Sequence, residues 1–269
     1  ALRELRRLTT LLLTLTPVQE GDVERWYKEE GFAVDDHGFW LSLPLLERFR
    51  EGRAPAEAIS YSWHPSLKDH PEASRRMYIL RDLGPVLREI HRRLPEGTAW
   101  IYYQDVTNTA IQHPYIDQCQ AITADFDWST YHTYRSVAPE NNPEGAIRWT
   151  LPTIDYAGEG LILSVSIPLW LEDRFTGLWS IDLPMEILYR DILHRAILPQ
   201  QVNFFVDGEG HIVAHPTIAA IIDKEKGSIY QKKLASLKGD FASLDVASLS
   251  QQGQGTLHDP RLVNTAPDG

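Results

Sequence analysis

Two aspartates, Asp125 and Asp127, are the residues whose spacing first suggests chemistry. They lie in AITADFDW, an apolar and aromatic run that predicts a strand. Side chains two positions apart on a strand share a face, so these carboxylates would stand about 7 Å apart at their Cα atoms. Paired carboxylates serve glycosidases and metal sites. A carboxylate-pair hydrolase is therefore one function to test, although an aspartate here also fits a turn or a solvent-facing position.

Other catalytic signals in the sequence are weaker. His211 and His215 have the spacing of a helical metal pair, but they fall in a predicted strand, which separates them by about 13 Å. Cys119 is the single cysteine, so an intrachain disulfide is excluded, and no nucleophile signature surrounds it. Neither a nucleophile elbow, a phosphate loop nor a zinc-protease motif is present. We therefore predict no enzymatic activity, no metal and no cofactor for this region.

The stretch that follows Asp125 has the composition of a small-molecule pocket, which is mostly apolar with a few polar groups. We predict that its ligand contacts come from Asp127, Trp128, Tyr131, Tyr134 and Arg135. Aromatic faces of this kind suit an apolar or cationic group. Each of these aromatic residues is also a natural core residue of a half-buried sheet, and that alternative stays open.

Composition restricts the class of protein further. The 269 residues are 43% hydrophobic and 23% charged, which predicts a globular chain of one large or two ordinary domains. A net charge of −11 argues against nucleic acid, which requires clustered Lys and Arg. The most apolar stretch, 161–171, is far shorter than the roughly 20 residues of a membrane span. We expect either a soluble protein or a piece of a longer chain whose membrane spans lie elsewhere.

The N-terminal part of the chain has helical periodicity. Leucines at positions 2, 5, 8, 12 and 15 predict an amphipathic helix that Pro17 ends or kinks. Residues 75–94 predict a second helix with Leu80, Leu83 and Leu87 on one face, interrupted at Gly84-Pro85.

After Gly97 the pattern changes to strands. AWIYYQDV, GLILSVSIPLW and FTGLWSIDL are aromatic and β-branched and are bounded by turn residues. Alternation along the first of these strands sends Tyr102 and Gln104 to one face and Tyr103 to the other. Strands in succession predict an antiparallel sheet, and the preceding helices make the fold class α+β. A helix from Pro184 and a hairpin at 201–216 follow, with a domain boundary near 198–199.

An ordered set of motifs carries a family resemblance. These are DFDW at 125–128, NNP at 141–143, RWT at 148–150, IDYAGEGLILSVSIP at 154–168, FTGLWSIDL at 175–183 and FFVDGEGHIVAHP at 204–216. Together they resemble the double Cache (dCache, PAS-like) sensor family, over about residues 100–216.

The resemblance implies a long N-terminal helix followed by two tandem PAS-like antiparallel sheets, the second of which looks incomplete. The corresponding domains are an N-terminal stalk at 1–40, a membrane-distal, ligand-binding Cache domain at 41–198 and a truncated membrane-proximal Cache domain at 199–269. The stalk would form a homodimer, with packing on its own domain as the alternative.

The same resemblance implies the periplasmic or extracellular portion of an inner-membrane receptor, anchored outside this region. Its output would be a histidine kinase, with a diguanylate cyclase or chemoreceptor domain as alternatives. The ligand would be a small molecule on the distal sheet, and the family pattern adds Trp149 and Asp182 to the site, with Asp182 placed to pair with an amine or, alternatively, to cap the helix from Pro184. We also predict Tyr102, on the first strand, as a ligand contact. A module that binds a partner protein without a small ligand remains the alternative function.

One departure from the family pattern concerns the ligand. Members that recognise α-amino acids carry an Arg-x-Trp-Tyr loop that holds the carboxylate, whereas this chain has Asp127-Trp128-Ser129-Thr130, with Arg135 further on. Amino-acid recognition is therefore in doubt, and the acidic, aromatic loop favours an amine or another cation. We expect Asp155 to order a turn and not to touch a ligand.

Overall fold

The computed structural model describes residues 1–62, 64, 70–188, 203–206 and 212–214. Contacts divide the chain into one unit of residues 1–150 and 155–184 and a second of residues 151–154 and 185–269. The predicted boundary near 198–199 lies outside the described residues. Within the described part, no helix is long and apolar enough to cross a membrane.

The described residues of the first unit form six α-helices and two antiparallel sheets. Its helices are α1 (Leu2–Leu15), α2 (Asp22–Glu29), α3 (Leu43–Arg50), α4 (Pro71–Leu80), α5 (Gly84–Arg93) and α6 (His132–Val137). Strands β1 (Phe32–Val34) and β2 (Trp40–Ser42) form a hairpin. The main sheet contains β3 (Ser60–Ser62), β4 (Trp100–Asp105), β5 (Ala110–His113), β6 (Arg148–Trp149), β8 (Leu161–Leu171) and β9 (Arg174–Pro184), and β7 (Thr153–Ile154) belongs to the second unit.

The order of the main sheet within this unit is β3-β5-β4-β9-β8-β6, and each neighbouring pair is antiparallel. This confirms the predicted α+β fold class. The strands predicted at AWIYYQDV, GLILSVSIPLW and FTGLWSIDL are β4, β8 and β9.

The sheet buries one face beneath the helices. Its alternate side chains there are Ile101, Tyr103, Ile111, Val165, Ile167, Trp179 and Ile181. Helix α1 packs on this face through Leu2, Leu5 and Leu13, and Trp179 Nε1 donates a hydrogen bond of 2.9 Å to Thr9 Oγ1. Tyr103 lies in this core while Tyr102 faces the opposite side, as the alternation predicts.

The leucine stripe of α1 is therefore used within its own unit. Leu5 is fully buried and Leu2 and Leu13 nearly so, whereas Leu15 is 70% exposed. The sheet and helices of the unit already cover the buried leucines, so these leucines are not available to a partner chain, and the homodimer through this helix stays a prediction. The alternative prediction, a helix packed on its own domain, is confirmed.

The predicted helix at 75–94 is two helices, α4 and α5, joined by a short 3₁₀ helix at Arg81–Leu83. Leu80, Leu83 and Leu87 are buried, as predicted. The break lies at Pro85 in the first turn of α5, because proline has no amide hydrogen and its ring clashes with the preceding turn. At Gly84 a Cβ would lie 2.1 Å from the Glu57 carbonyl oxygen, so only glycine fits there. Any side chain at position 84 would push the start of α5 away from the backbone of Glu57.

The strand predicted at 121–128 is absent from the structure, which has a loop there. Side chains bind its backbone in place of a strand ladder, since Asn108 accepts from the Trp128 amide at 2.7 Å and donates to the Phe126 carbonyl at 2.9 Å. Asp127 accepts from the Ser129 amide at 2.9 Å and begins a 3₁₀ helix at Trp128–Thr130. Asparagine and aspartate compete with regular structure in this way.

The second unit is described only in part. Helix α7 (Met185–Leu188) begins where a helix is predicted, and β10 (Phe205–Val206) pairs antiparallel with β11 (Ile212–Ala214), which confirms the predicted hairpin. The turn at 207–210, His211, His215 and the rest of the predicted second sheet lie outside the described residues.

A buried ion pair joins α4 to the end of β4. The side chains of Arg76 and Asp105 are 6% and 0% exposed, with 3.5 Å between Nη1 and Oδ2. Asp105 Oδ1 also accepts from the amides of Thr107 (2.8 Å) and Thr109 (3.1 Å), and Arg76 donates to the Thr176 carbonyl at 3.2 Å. Burial raises the pKa of Asp105 in spite of these partners. The pair therefore holds helix, turn and strand together.

We expect Arg76→Met to lower the free energy of unfolding by about 3–5 kcal/mol, because it leaves a buried carboxylate without its counter-charge. Urea denaturation followed by circular dichroism measures this change. Arg75→Met is the matched control, since Arg75 is exposed on the same helix and its loss should cost at most about 0.5 kcal/mol. Equal effects of the two substitutions would contradict the assignment.

Candidate functional site

The candidate site is a cavity on the sheet face opposite α1. It encloses about 470 Å³, counting the part open to solvent. Strands β4, β5 and β9 form its floor, and residues 116–131 and 155–157 form its walls. Its lining residues are Trp100, Tyr102, Ala110, Gln112, Ile116, Gln118, Ala121, Ile122, Trp128, Tyr131, Asp155, Tyr156, Ala157 and Asp182.

Asp182 lies at the floor of this cavity and is only 2% exposed. Strand register places it opposite Trp100 on β4 and Ser164 on β8. The hydroxyl of Tyr102 donates to Asp182 Oδ1 at 3.1 Å. Burial raises the pKa of Asp182 from its ordinary 3.8 to about 7, although hydrogen bonds from Ser164 and Tyr102 favour the ionised form. The carboxyl is therefore poised between neutral and charged near neutral pH.

Asp155 is a second carboxylate at the cavity and is 8% exposed. It accepts hydrogen bonds from Trp100 Nε1 and from the Glu159 amide, both of 3.1 Å and both at Oδ2. Its backbone amide donates to the Gly160 carbonyl at 2.7 Å, so the predicted turn-ordering role is confirmed. It also lines the cavity, and its charge adds to the raised pKa of Asp182.

Gln118 presents an amide to the cavity without a protein partner. The residue is 4% exposed, and neither Nε2 nor Oε1 has a hydrogen-bond partner among the described residues. A buried amide left in this state costs free energy. A ligand or water in the cavity that both accepts and donates would satisfy it.

Aromatic rings form much of the remaining wall. Trp128 meets Tyr131 edge-on at 5.8 Å between ring centroids, and Tyr131 meets Tyr156 at 5.9 Å. Trp100 and Tyr102 complete the set. None of the fourteen described lining residues is Lys, Arg or His. The ionisable groups that give the lining its charge are therefore acidic, and aromatic rings surround them.

Of the predicted site residues, the structure brings Tyr102, Trp128, Tyr131 and Asp182 together at the cavity. The other four lie outside its lining. Asp127 is exposed and caps the 3₁₀ helix, Tyr134 packs edge-on against Phe175, Arg135 is exposed, and Trp149 is 59% exposed on β6.

Sequence reasoning missed Trp100, Gln112, Gln118 and Tyr156 as lining residues. Trp100 had a usable signal, because it lies two positions before Tyr102 on the same strand and therefore shares its face. Gln118 gave none, since it lies in a short 3₁₀ helix whose approach to the sheet depends on tertiary packing.

The predicted carboxylate pair of Asp125 and Asp127 lies outside the cavity lining. Both residues are exposed and lie in the loop, not on a strand. The predicted shared strand face is therefore wrong, and with it the geometric basis for a hydrolase at these two residues.

No known protein-family profile matches this chain, and no curated protein matches it in sequence. Among solved structures, it is similar to the ligand-binding domain of the Pseudomonas aeruginosa amino acid chemoreceptor PctB in complex with L-Arg. That similarity has 20% identity and a TM-score of 0.41 over 56% of this chain and 54% of PctB.

Two further similarities are comparable in strength. The ligand-binding domain of the Pseudomonas fluorescens chemoreceptor CtaA, in complex with L-valine, is 17% identical with a TM-score of 0.42 over 80% of each chain. That of P. aeruginosa PctC, in complex with GABA, is 21% identical with a TM-score of 0.36 over 54% of this chain and 60% of PctC. In the PctB and PctC alignments this chain spans little more than half the length of the solved domain.

We expect Asp182→Asn to stabilise the ligand-free chain at pH 8 more than at pH 5. A carboxyl whose pKa is raised on folding contributes stability at low pH that is lost as pH rises from about 4 through about 7. The amide stays neutral at both values and avoids that loss. Thermal unfolding at the two pH values measures the difference.

Asp127→Asn is the matched control, because Asp127 is exposed and lies outside the cavity lining. Its melting temperature should follow that of the unmodified chain at both pH values. An Asp182→Asn variant with the same pH dependence as the unmodified chain would contradict the raised pKa.

Proposed function

We propose that this chain is the extracytoplasmic sensing region of a receptor and that its cavity binds a small organic cation. The observation that carries the proposal is the convergence of two buried carboxylates and the Gln118 amide on one aromatic cavity. Among the described residues, that amide has no hydrogen-bond partner and the lining has no basic side chain. The ligand class follows from this lining and not from the proteins that resemble the chain.

Charge selects the sign of the ligand. Asp155 and Asp182 raise the cost of bringing a carboxylate ligand into the cavity, since none of the described lining residues is a Lys, Arg or His that would balance its charge. A protonated amine or a guanidinium group instead neutralises Asp182 and favours its ionised form. The carboxylate has room for this partner, because an ionised carboxylate has about four acceptor positions and Tyr102 and Ser164 use two.

The aromatic and amide groups restrict the ligand further. Ring faces of Trp100, Trp128 and Tyr131 add favourable interactions with a cation of about 0.5–2 kcal/mol each where they face it. Gln118 requires a second polar group on the ligand or a bridging water. The ligand class that meets these conditions is a small amine or guanidine that carries one further polar substituent and no carboxylate.

The wider assignment rests on the sequence motifs at 125–216. They support a membrane-anchored receptor whose output is a histidine kinase, a diguanylate cyclase or a chemoreceptor domain. A periplasmic or extracellular position and a dimeric state belong to the same proposal. If such a receptor dimerises through α1, the contact must use its exposed face, where Leu11 and Leu15 lie, because Leu2, Leu5 and Leu13 are buried.

We expect isothermal titration with a panel of amines, amino acids and carboxylates to show binding by amines or guanidines only. Asp182→Asn should weaken that binding by about 30-fold or more, because truncating one partner of a buried charge pair costs about 2–5 kcal/mol. The affinity should also rise with pH up to about 7, by at most tenfold per unit, because protonation of Asp182 competes with the cation.

Two exposed positions provide the controls. Asp127→Asn and Trp149→Ala should leave the affinity unchanged, because neither side chain lines the cavity. Binding by carboxylates alone would exclude a cation site. The absence of binding by any member of the panel, together with capture of a partner protein, would instead favour a protein-binding module.

A further inference from the structure

A second cluster of chemically active side chains lies outside the lining of the cavity. It consists of Asp35, His37 and Cys119, and one ligand atom from each lies within 4.8 Å of the other two. Asp35 and His37 come from the turn between β1 and β2, and Cys119 comes from the 3₁₀ helix at Gln118–Gln120. Two segments far apart in sequence therefore bring a carboxylate, an imidazole and a thiol together.

The turn is built so that one carboxylate oxygen faces this cluster. Asp35 Oδ1 accepts from the amides of His37 (3.0 Å) and Phe39 (2.7 Å), which fixes the side chain. Oδ2 lies 2.9 Å from Cys119 Sγ and 3.4 Å from His37 Nδ1. Asp35 is nearly buried at its side chain, at 7% exposure, whereas His37 is 59% exposed at the rim. The arrangement is a preformed carboxylate with a thiol and an imidazole beside it.

These separations fit a divalent metal ion. Bonds of 2.3 Å to sulfur and about 2.0–2.2 Å to nitrogen and oxygen, at tetrahedral angles, place the ligand atoms about 3.3–3.6 Å apart. The separation of 3.4 Å between Oδ2 and Nδ1 already meets this, and the separation of 2.9 Å between Oδ2 and Sγ needs to widen by about 0.7 Å. Because His37 is on the surface, a metal ion reaches the cluster without a path through the core.

A neighbouring residue supplies an independent indication. Asp117 is 6% exposed, and its Oδ1 has no hydrogen-bond partner among the described residues, although Oδ2 accepts from Arg50 Nε at 2.8 Å. Asp117 lies two residues before Cys119, on the segment that brings the thiol to the cluster. With the metal bound and Cys119 ionised, two carboxylates, a thiolate and the Arg50 guanidinium would carry a net charge of −2, which a divalent ion would neutralise.

We propose that Asp35 Oδ2, His37 Nδ1 and Cys119 Sγ form a Zn²⁺ site with three protein ligands and one position open to water. Thiolate and imidazole ligands select zinc over magnesium and calcium, which prefer oxygen ligands. The ion would tie the β1–β2 turn to the segment that carries Ile116, Gln118 and Ile122 of the cavity wall. Its binding releases the thiol proton and forms the metal–thiolate bond, with no redox change.

The test is a titration of the tag-free, chelator-treated chain with Zn²⁺ alone by calorimetry, and with Co²⁺ by absorption spectroscopy. We expect one equivalent per chain, thiolate-to-Co²⁺ charge-transfer absorption, and a rise in melting temperature with Zn²⁺. His37→Ala should weaken Zn²⁺ binding by about 100-fold, since loss of an outer-shell partner alone costs about 10–100-fold. Cys119→Ser should abolish the charge-transfer absorption.

Asp36→Asn is the matched control, because Asp36 is exposed in the same turn and lies outside the cluster. It should bind Zn²⁺ as the unmodified chain does. His37 is exposed, so its substitution tests the ligand set even if Cys119→Ser alters folding. Absence of a stoichiometric site, or equal binding by the His37→Ala and Asp36→Asn variants, would overturn the proposal.

Discussion

The two-residue alternation of side chains along the central strands is the constraint on which the rest of this molecule depends. On β4, Ile101 and Tyr103 face the helices, whereas the alternate residues Trp100 and Tyr102 face the cavity. On β9, Ile181 and Asp182 divide in the same way. A shift of one residue in the pairing of β4 with β9 would exchange the apolar core with the polar cavity floor. The hydrophobic free energy of the core therefore fixes the geometry of the site.

The close approach of β4 to β9 maintains this pairing at the other end of the strands. Gly177 pairs with Asp105, and a Cβ at Gly177 would lie 2.3 Å from the Gln104 carbonyl oxygen, so only glycine fits there. At the same place, Arg76 neutralises Asp105 and bonds the Thr176 carbonyl. A buried ion pair contributes little net stability but is costly to break. The Arg76–Asp105 ion pair therefore favours this strand register, because a misaligned pairing would break it.

The sequence predicted what depends on short-range periodicity and missed what depends on tertiary packing. Local patterns predict strands β4, β8 and β9 and the break at Gly84-Pro85. Tyr102 and Asp182 were predicted because the same local patterns place them on these strands. The loop at 121–128 was misread because its aromatic residues mimic a strand, whereas Asn108, twenty residues from Trp128, supplies the hydrogen bonds that a ladder would have made. Gln118 and the Asp35–Cys119 contact bring together residues that no local pattern connects.

The cavity also shows why a binding site conflicts with stability. A leucine at position 182 would remove the cost of burying a carboxyl, and a hydrogen-bond partner for Gln118 would remove the cost of its unpaired amide. Both costs are present in the ligand-free chain and are relieved by a cation with a second polar group. Removal of these two costs adds to the binding free energy. The gain is specific to such a cation, because an apolar or anionic ligand of the same size removes neither cost. Such differential stabilisation is what a ligand needs to shift a protein between two conformations.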